Sequence, residues 1–130
     1  MKIDIITLFP KMFVGPFGQS IVKRAIDKGL AEINIHDLRA WAEDERKTVD
    51  DRPYGGGVGM ILRVDIIEKA VSELKKGSQS TKVILLDATG KKFTQGMARE
   101  LSQTEHLILI AGHYEGFDHR VHERLVDEVI

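Results

Sequence analysis

The chain has 130 residues, and its 19 lysines and arginines nearly cancel its 20 aspartates and glutamates. At 42% apolar and 30% charged residues, it has the composition of one soluble globular domain, with no apolar run near the ~20 residues of a membrane span. Cysteine is absent, which excludes disulfide scaffolds, thiolate metal sites and cysteine nucleophiles; the opening MKIDIITLFPKMF lacks a signal-peptide core and cleavage site, so a cytoplasmic location is expected.

Lys2 to Thr7 reads as a strand rich in β-branched residues, ended by Phe9-Pro10. Ile21, Val22, Ala25 and Ile26 recur at helical spacing between Gln19 and Lys28, with Gly29 as the stop. Ala31 to His36 alternates as a second strand. Residues 40–62 keep no period, and a loop of ~20 residues inside a compact domain is usually functional. Asp65 is expected to cap a helix with Glu68 completing the pair and Ile66, Ile67, Ala70, Val71 and Leu74 as its buried stripe. A turn is expected at Gly77 to Ser80, then a doubly buried strand at Val83 to Leu86. Thr94 to Leu101 predicts a helix, Leu107 to Ala111 another buried strand, and Asp118 the cap of a helix carrying Val121 and Leu125. Val129 and Ile130 open one more strand. Strands alternating with helices predict an α/β fold, a Rossmann-like, mainly parallel sheet with flanking helices. In such sheets ligands lie beyond the carboxyl ends of the strands. Asp87-Ala-Thr-Gly90 and Gly112-His-Tyr-Glu-Gly116 stand there, two glycine-bearing turns where backbone can approach a ligand.

Both halves of the chain are balanced in charge, so bulk electrostatics do not call for a nucleic-acid partner. Lys23, Arg24 and Lys28, and Arg46, Lys47 and Arg52, form local basic groupings that read as solvated surface. Gly55, Gly56, Gly57 and Gly59 do not make a dinucleotide fingerprint or a P-loop, because no strand leads in, no helix follows at once and no Gly-Lys-Ser/Thr is present. What remains is a lid or a flexible connector; composition favours the connector, while neighbouring Asp50, Asp51, Arg52 and Tyr54 favour the lid. His113, His119 and His122 lack the convergence of a metal site, and His119 and His122 read as exposed helix residues, so no metal site is assigned.

Four segments together carry a resemblance: MKIDIITLFPKMF, TVDDRPYGGGVGM (Thr48 to Met60), KKFTQ (Lys91 to Gln95) and AGHYEGFDHRV (Ala111 to Val121). In this order and spacing they resemble the bacterial tRNA (guanine-N1)-methyltransferase family, TrmD, over the whole length. The resemblance implies a SPOUT-class, trefoil-knotted α/β domain, S-adenosyl-L-methionine as methyl donor, a homodimer, and N1 of guanosine 37 in tRNA as the target. It implies cofactor contacts at Leu85, Leu86, Asp87, Ala88, Thr89 and Gly90 and at Gly112, Tyr114, Glu115 and Gly116. It also implies guanine recognition by the 50–59 loop, with Asp50, Arg52, Tyr54, Gly55, Gly57 and Gly59 as candidates. An assisting role, or a magnesium ion, is suggested at Glu115.

By the same resemblance the third cofactor loop, the catalytic aspartate and a helical tRNA-binding domain belong beyond Ile130. Residues 1–130 then read as the N-terminal part of the knotted domain, expected to be inactive alone, with a non-catalytic nucleotide- or tRNA-binding module as the alternative. The chain departs from the family in having Asp87-Ala-Thr-Gly90 for Ser-Pro-Gln-Gly, Val58 for proline, His113 for arginine and Arg46 for histidine.

Overall fold

The computed structural model describes residues 1–77 and 80–130. Part of the turn expected at Gly77 to Ser80 therefore lies outside the described residues. In chain order the elements are β1 (Lys2–Thr7), α1 (Lys11–Phe17), α2 (Ser20–Asp27), β2 (Glu32–Asp37), β3 (Asp50–Asp51), β4 (Ile61–Leu62), α3 (Val64–Leu74), β5 (Thr81–Leu86), α4 (Gln95–Leu101), β6 (His106–Ala111), α5 (His119–Arg124) and β7 (Glu128–Val129). A single 3-10 turn, Leu38–Trp41, follows β2.

Five strands form one parallel sheet in the order β2-β1-β6-β5-β7, and β3 and β4 make a separate antiparallel pair. Parallel strands need helices on their faces, and the alternation of side chains along each strand supplies two unequal ones. On one face Ile6, Ile108, Ile110, Val83 and Leu85 meet Ile66, Ile67, Ala70 and Val71 of α3 in the main core. On the other, Ile84 and Leu107 meet Leu101 of α4, with Ile3, Leu109 and Ile130 only partly covered. An apolar trough of about 480 Å³ opens there, between the sheet and Phe93 and Leu101. No helix among the described residues is long and apolar enough to cross a membrane.

The structure departs from the sequence reading in four places. Helix α1 follows directly on Pro10, whose fixed φ suits a helix start, and it ends at Phe17, just after Pro16, which has no amide to donate to the Met12 carbonyl. Asp65 is not the cap of α3. Arg63 occupies that position, and its guanidinium holds the Asp65 carboxylate inside the first turn at 2.7 Å, so Asp65 meets the helix dipole rather than the free amides. Within the aperiodic 40–62 stretch, β3 and β4 pair over two residues each, too short to leave a period. Leu86, at the end of the run expected to be buried, is 41% exposed because β5 leaves the core there.

Polar groups also enter the core near the amino ends of the strands. Asp4 is 0% exposed and its carboxylate is met by Lys2 (2.9 Å), His36 (2.8 Å) and His106 (2.7 Å) and by the Asn34 amide (3.2 Å). His106 closes the network through the Thr81 hydroxyl at 2.8 Å. Burial pushes the Asp4 carboxyl up, but these donors outweigh it and hold it at about 2.

Candidate functional site

Because β5 and β6 are neighbours in register, with Leu86 opposite Ala111, the turns that follow them lie side by side at the carboxyl edge of the sheet. The first turn folds on Asp87, whose Oδ1 accepts from the Thr89 amide (2.8 Å) and hydroxyl (2.7 Å), while its carbonyl accepts from the Gly90 amide at 2.9 Å. Those Thr89 bonds, aided by nearby His122, hold the Asp87 carboxyl below the usual range. The main chain of Ile130 passes so close to Gly90 that any Cβ there would strike it, and the Asp87 amide donates to the Ile130 carbonyl at 3.0 Å. The second turn holds Tyr114 at φ 61°, a left-handed conformation unusual for a bulky side chain and therefore maintained by its surroundings. Burial, then the adjoining Asp50 carboxylate, pushes the Tyr114 phenol up.

The aperiodic loop is stitched to this second turn. The Glu115 amide donates to the Met60 carbonyl (3.1 Å), the Leu62 amide to the Gly116 carbonyl (3.0 Å), and the Asp118 amide to the Leu62 carbonyl (3.1 Å). At the other end of the loop, the Arg63 amide donates to the Val49 carbonyl at 2.9 Å. Residues 52–60 thus form an arc on the short β3–β4 base. Its Gly55, Gly56, Gly57 and Gly59 all take positive φ, which only glycine adopts without strain. Gly59 lies against Glu115 so closely that a Cβ there would collide with the glutamate side chain.

Of the expected substrate residues, Asp50 and Gly59 are therefore brought to the turn. Tyr54, Gly55 and Gly57 are at the exposed tip, away from it, with Tyr54 wholly in solvent. Between the arc and the starts of α3 and α5 is a cleft of about 450 Å³ with Arg52 and Tyr54 on one side and two Arg–Asp forks on the other. Arg63 holds Asp65 at 2.7 Å, and Arg120 holds Asp118 at 2.6 Å, which keeps the Asp118 carboxyl at about 2. The basic groupings are partly spent within the fold, since Lys23 pairs with Asp27 at 2.6 Å and Lys47 donates to the Ala42 carbonyl at 2.7 Å.

Among the expected cofactor contacts, Leu85 is 0% exposed in the core and its carbonyl accepts from the Ile130 amide at 2.9 Å, so the structure does not bring it to the ligand edge. Leu86 and Tyr114 offer exposed apolar faces. The amides of Ala88, Gly112, His113 and Tyr114 have no acceptor among the described residues. A Cβ on Gly112 would run into the Phe117 ring, so the main chain there keeps close to its neighbours. Free amides, apolar faces and the Glu115 carboxylate together suit a ligand that joins a nucleoside to a cationic amino acid. S-adenosyl-L-methionine has that chemistry. No group of three or more histidines, aspartates and glutamates converges for a metal among the described residues.

Sequence reasoning misses three participants. Arg39 donates to the Leu8 carbonyl (2.7 Å) and its guanidinium lies 6.0 Å from the Phe9 ring, which meets His113 edge-on at 4.8 Å. No local motif announces that row, which three separate segments assemble. His122, expected to be exposed, is instead half-buried, packed edge-on to Phe117 with its Nε2 3.5 Å from Asp87. The placement of α5 against the first turn, a tertiary fact, accounts for the difference. His119 does stay exposed, stacked on His122 at 5.5 Å.

Comparison with known proteins is consistent along the entire chain. Residues 1–130 match the family described as tRNA (Guanine-1)-methyltransferase TrmD. A tRNA (guanine-N(1)-)-methyltransferase of Enterococcus faecalis is 50% identical over 132 residues, covering 99% of this chain and 53% of its own. One from Carboxydothermus hydrogenoformans is 52% identical over 130 residues, covering 100% of this chain and 51% of its own. Among solved structures, a tRNA (m1G37) methyltransferase from Aquifex aeolicus superposes with a TM-score of 0.90 at 35% identity, over 100% of this chain and 58% of that one. The chain spans about half the length of the curated relatives it matches.

Proposed function

Because the chain belongs to the tRNA (guanine-1)-methyltransferase family TrmD, we propose that it serves transfer of a methyl group from S-adenosyl-L-methionine to N1 of guanosine 37 in tRNA. The observation that carries this reading is the joining of the glycine arc to the Gly112–Gly116 turn, beside Asp87–Gly90, through residues 60–62. One cofactor cradle and one substrate-facing arc then share a single edge of the sheet.

The cofactor supplies, when bound, a methyl group already activated on a sulfonium, so the protein's task is binding, orientation and proton management. The free amides of Ala88, Gly112, His113 and Tyr114 would hold it through main-chain contacts. Main-chain contacts of this kind are compatible with Asp87, Ala88 and Thr89 standing where the family often has Ser-Pro-Gln. Guanine N1 carries a proton at neutral pH, and its methylation needs a general base. None is assigned among residues 1–130. Glu115, pinned by its amide and adjoining Gly59, is placed in an assisting role and is where a magnesium ion would find a carboxylate. Asp50, whose carboxylate adjoins Tyr114, and Arg52 are assigned to the nucleotide side. A homodimer, a cytoplasmic setting and the SPOUT knot belong to the same reading, as does the assignment of 1–130 to the N-terminal part of the knotted domain.

Isothermal titration of the chain with S-adenosylmethionine, beside methyl transfer to tRNA transcripts carrying guanosine or adenosine at position 37, tests the proposal. Micromolar binding with transfer confined to the guanosine transcript supports it. Binding without transfer is the outcome expected of residues 1–130 by themselves; if transfer is still absent when the third cofactor loop and the catalytic aspartate are supplied, a nucleotide-binding role alone is supported. No binding by a chain shown folded by circular dichroism overturns the two-turn cradle.

A further inference from the structure

We propose that Asp87 and His122 act as a positioning pair that locks the two turns at the sheet edge into one rigid unit. The Asp87 carboxylate touches three elements at once. Oδ1 is committed to the Thr89 amide and hydroxyl, within its own turn. Oδ2 faces His122 Nε2 at 3.5 Å, on α5. The same Oδ2 is only 3.7 Å from where a Cβ on Gly116 would stand, so it also lies against the main chain of the second turn.

Both side chains are largely withdrawn from water, at 14% exposure for Asp87 and 18% for His122. A contact to a carboxylate so shielded from water is weakened less by solvent than one at the surface. Ring packing fixes the imidazole as well, with Phe117 edge-on at 6.3 Å and His119 stacked at 5.5 Å. A carboxylate can only accept, so the proton of the imidazole belongs on Nε2, and Nδ1 is buried without a partner. Such an orphaned atom costs free energy, and the contact with Asp87 is what this ring orientation gains in return. The first turn has no other charged side chain between Asp87 and Gly90. The link therefore rests on these two residues.

The coupling can be read without any ligand. Glu115 and Leu62 amides are bonded across to Met60 and Gly116, and the Gly90 amide to Asp87, so all three report through hydrogen exchange. In His122→Ala, and in Asp87→Ala measured at Glu115 and Leu62, exchange is expected to speed up about tenfold, with His122→Gln restoring protection by returning a donor near Nε2. Only for its affinity arm does the inference rest on the cofactor reading: S-adenosylhomocysteine binding should weaken about tenfold in His122→Ala and recover in His122→Gln. Unchanged exchange at Glu115 and Leu62 in folded His122→Ala and Asp87→Ala would overturn the proposal. Faster exchange in a chain whose wild type binds no cofactor would sustain the pair and overturn the cofactor reading instead.

Discussion

At the level of single residues, Asp4 illustrates how a buried charge is kept. Lys2, His36, His106 and Asn34 crowd one carboxylate, and its folded value of about 2 lies below the ordinary 3.8. A lowered carboxyl stabilises the fold above its unfolded value and loses that contribution as pH falls from 3.8 toward 2. Asp4→Asn is expected to cost about 1–3 kcal/mol near neutral pH by taking away the acceptor that Lys2, His36, His106 and Asn34 share. Urea midpoints measured between pH 2 and pH 5 should then slope less than in the wild type, though not flatten, because Asp118 is also held at about 2. Glu115 offers a second test. In an enzyme that also carries the third cofactor loop and the catalytic aspartate, Glu115→Ala should lower single-turnover methyl transfer about a hundredfold, and an unchanged rate would remove it from the assisting role. Gly112→Ala forces a Cβ against the Phe117 ring, so unfolding free energy should fall by about 1–3 kcal/mol. Adding Phe117→Leu should recover most of that loss, whereas no recovery would mean the clash is elsewhere.

Among the elements, α3 holds the main core together. Ile67 and Ala70 are 0% exposed under the sheet, and Ile67→Ala should cost about 2–5 kcal/mol in denaturant unfolding. This helix was legible because its apolar residues recur at helical spacing, and β5 and β6 because continuous Val/Ile/Leu runs mark strands covered on both sides. The cap was legible only where the side chain itself does the capping. Asp118 accepts from the Arg120 amide as expected; Thr94, read as the first residue of its helix, is in fact its cap and accepts from the Met97 amide, and Arg63 at the start of α3 caps nothing, so sequence pointed to Asp65. Helix α1 and the β3–β4 pair left no signal, one interrupted by proline and the other only two residues per strand. The two turns were visible as glycine punctuation after buried runs. Their stitching to Met60 and Leu62 was not, because main-chain hydrogen bonds between distant segments carry no residue preference, and neither does the docking of His122 on Asp87.

For the molecule as a whole, one sheet face is well covered and the other is not, and helices α1 and α2 bury none of their residues. Met12 and Ile21 are 73% and 74% exposed, which is costly apolar area for a monomer. If the homodimer reading holds, equilibrium sedimentation should give twice the chain mass, and Met12→Glu with Ile21→Glu should lower it toward one. A wild type that sediments at the single-chain mass at high concentration would set that reading aside.

The glycine arc has a short reach. Arg52 to Met60 is tethered at both feet, by the β3–β4 pair and by bonds to Glu115, Gly116 and Asp118. A tether of nine residues folded back on itself extends no more than about 15 Å from its base. Its closure entropy is already met by the fold, so settling onto a ligand costs less than ordering a free tail would. Whatever the tip with Tyr54 touches must be delivered into that radius by something else, and the arc then acts as a short leash that samples one neighbourhood rather than as an arm that searches.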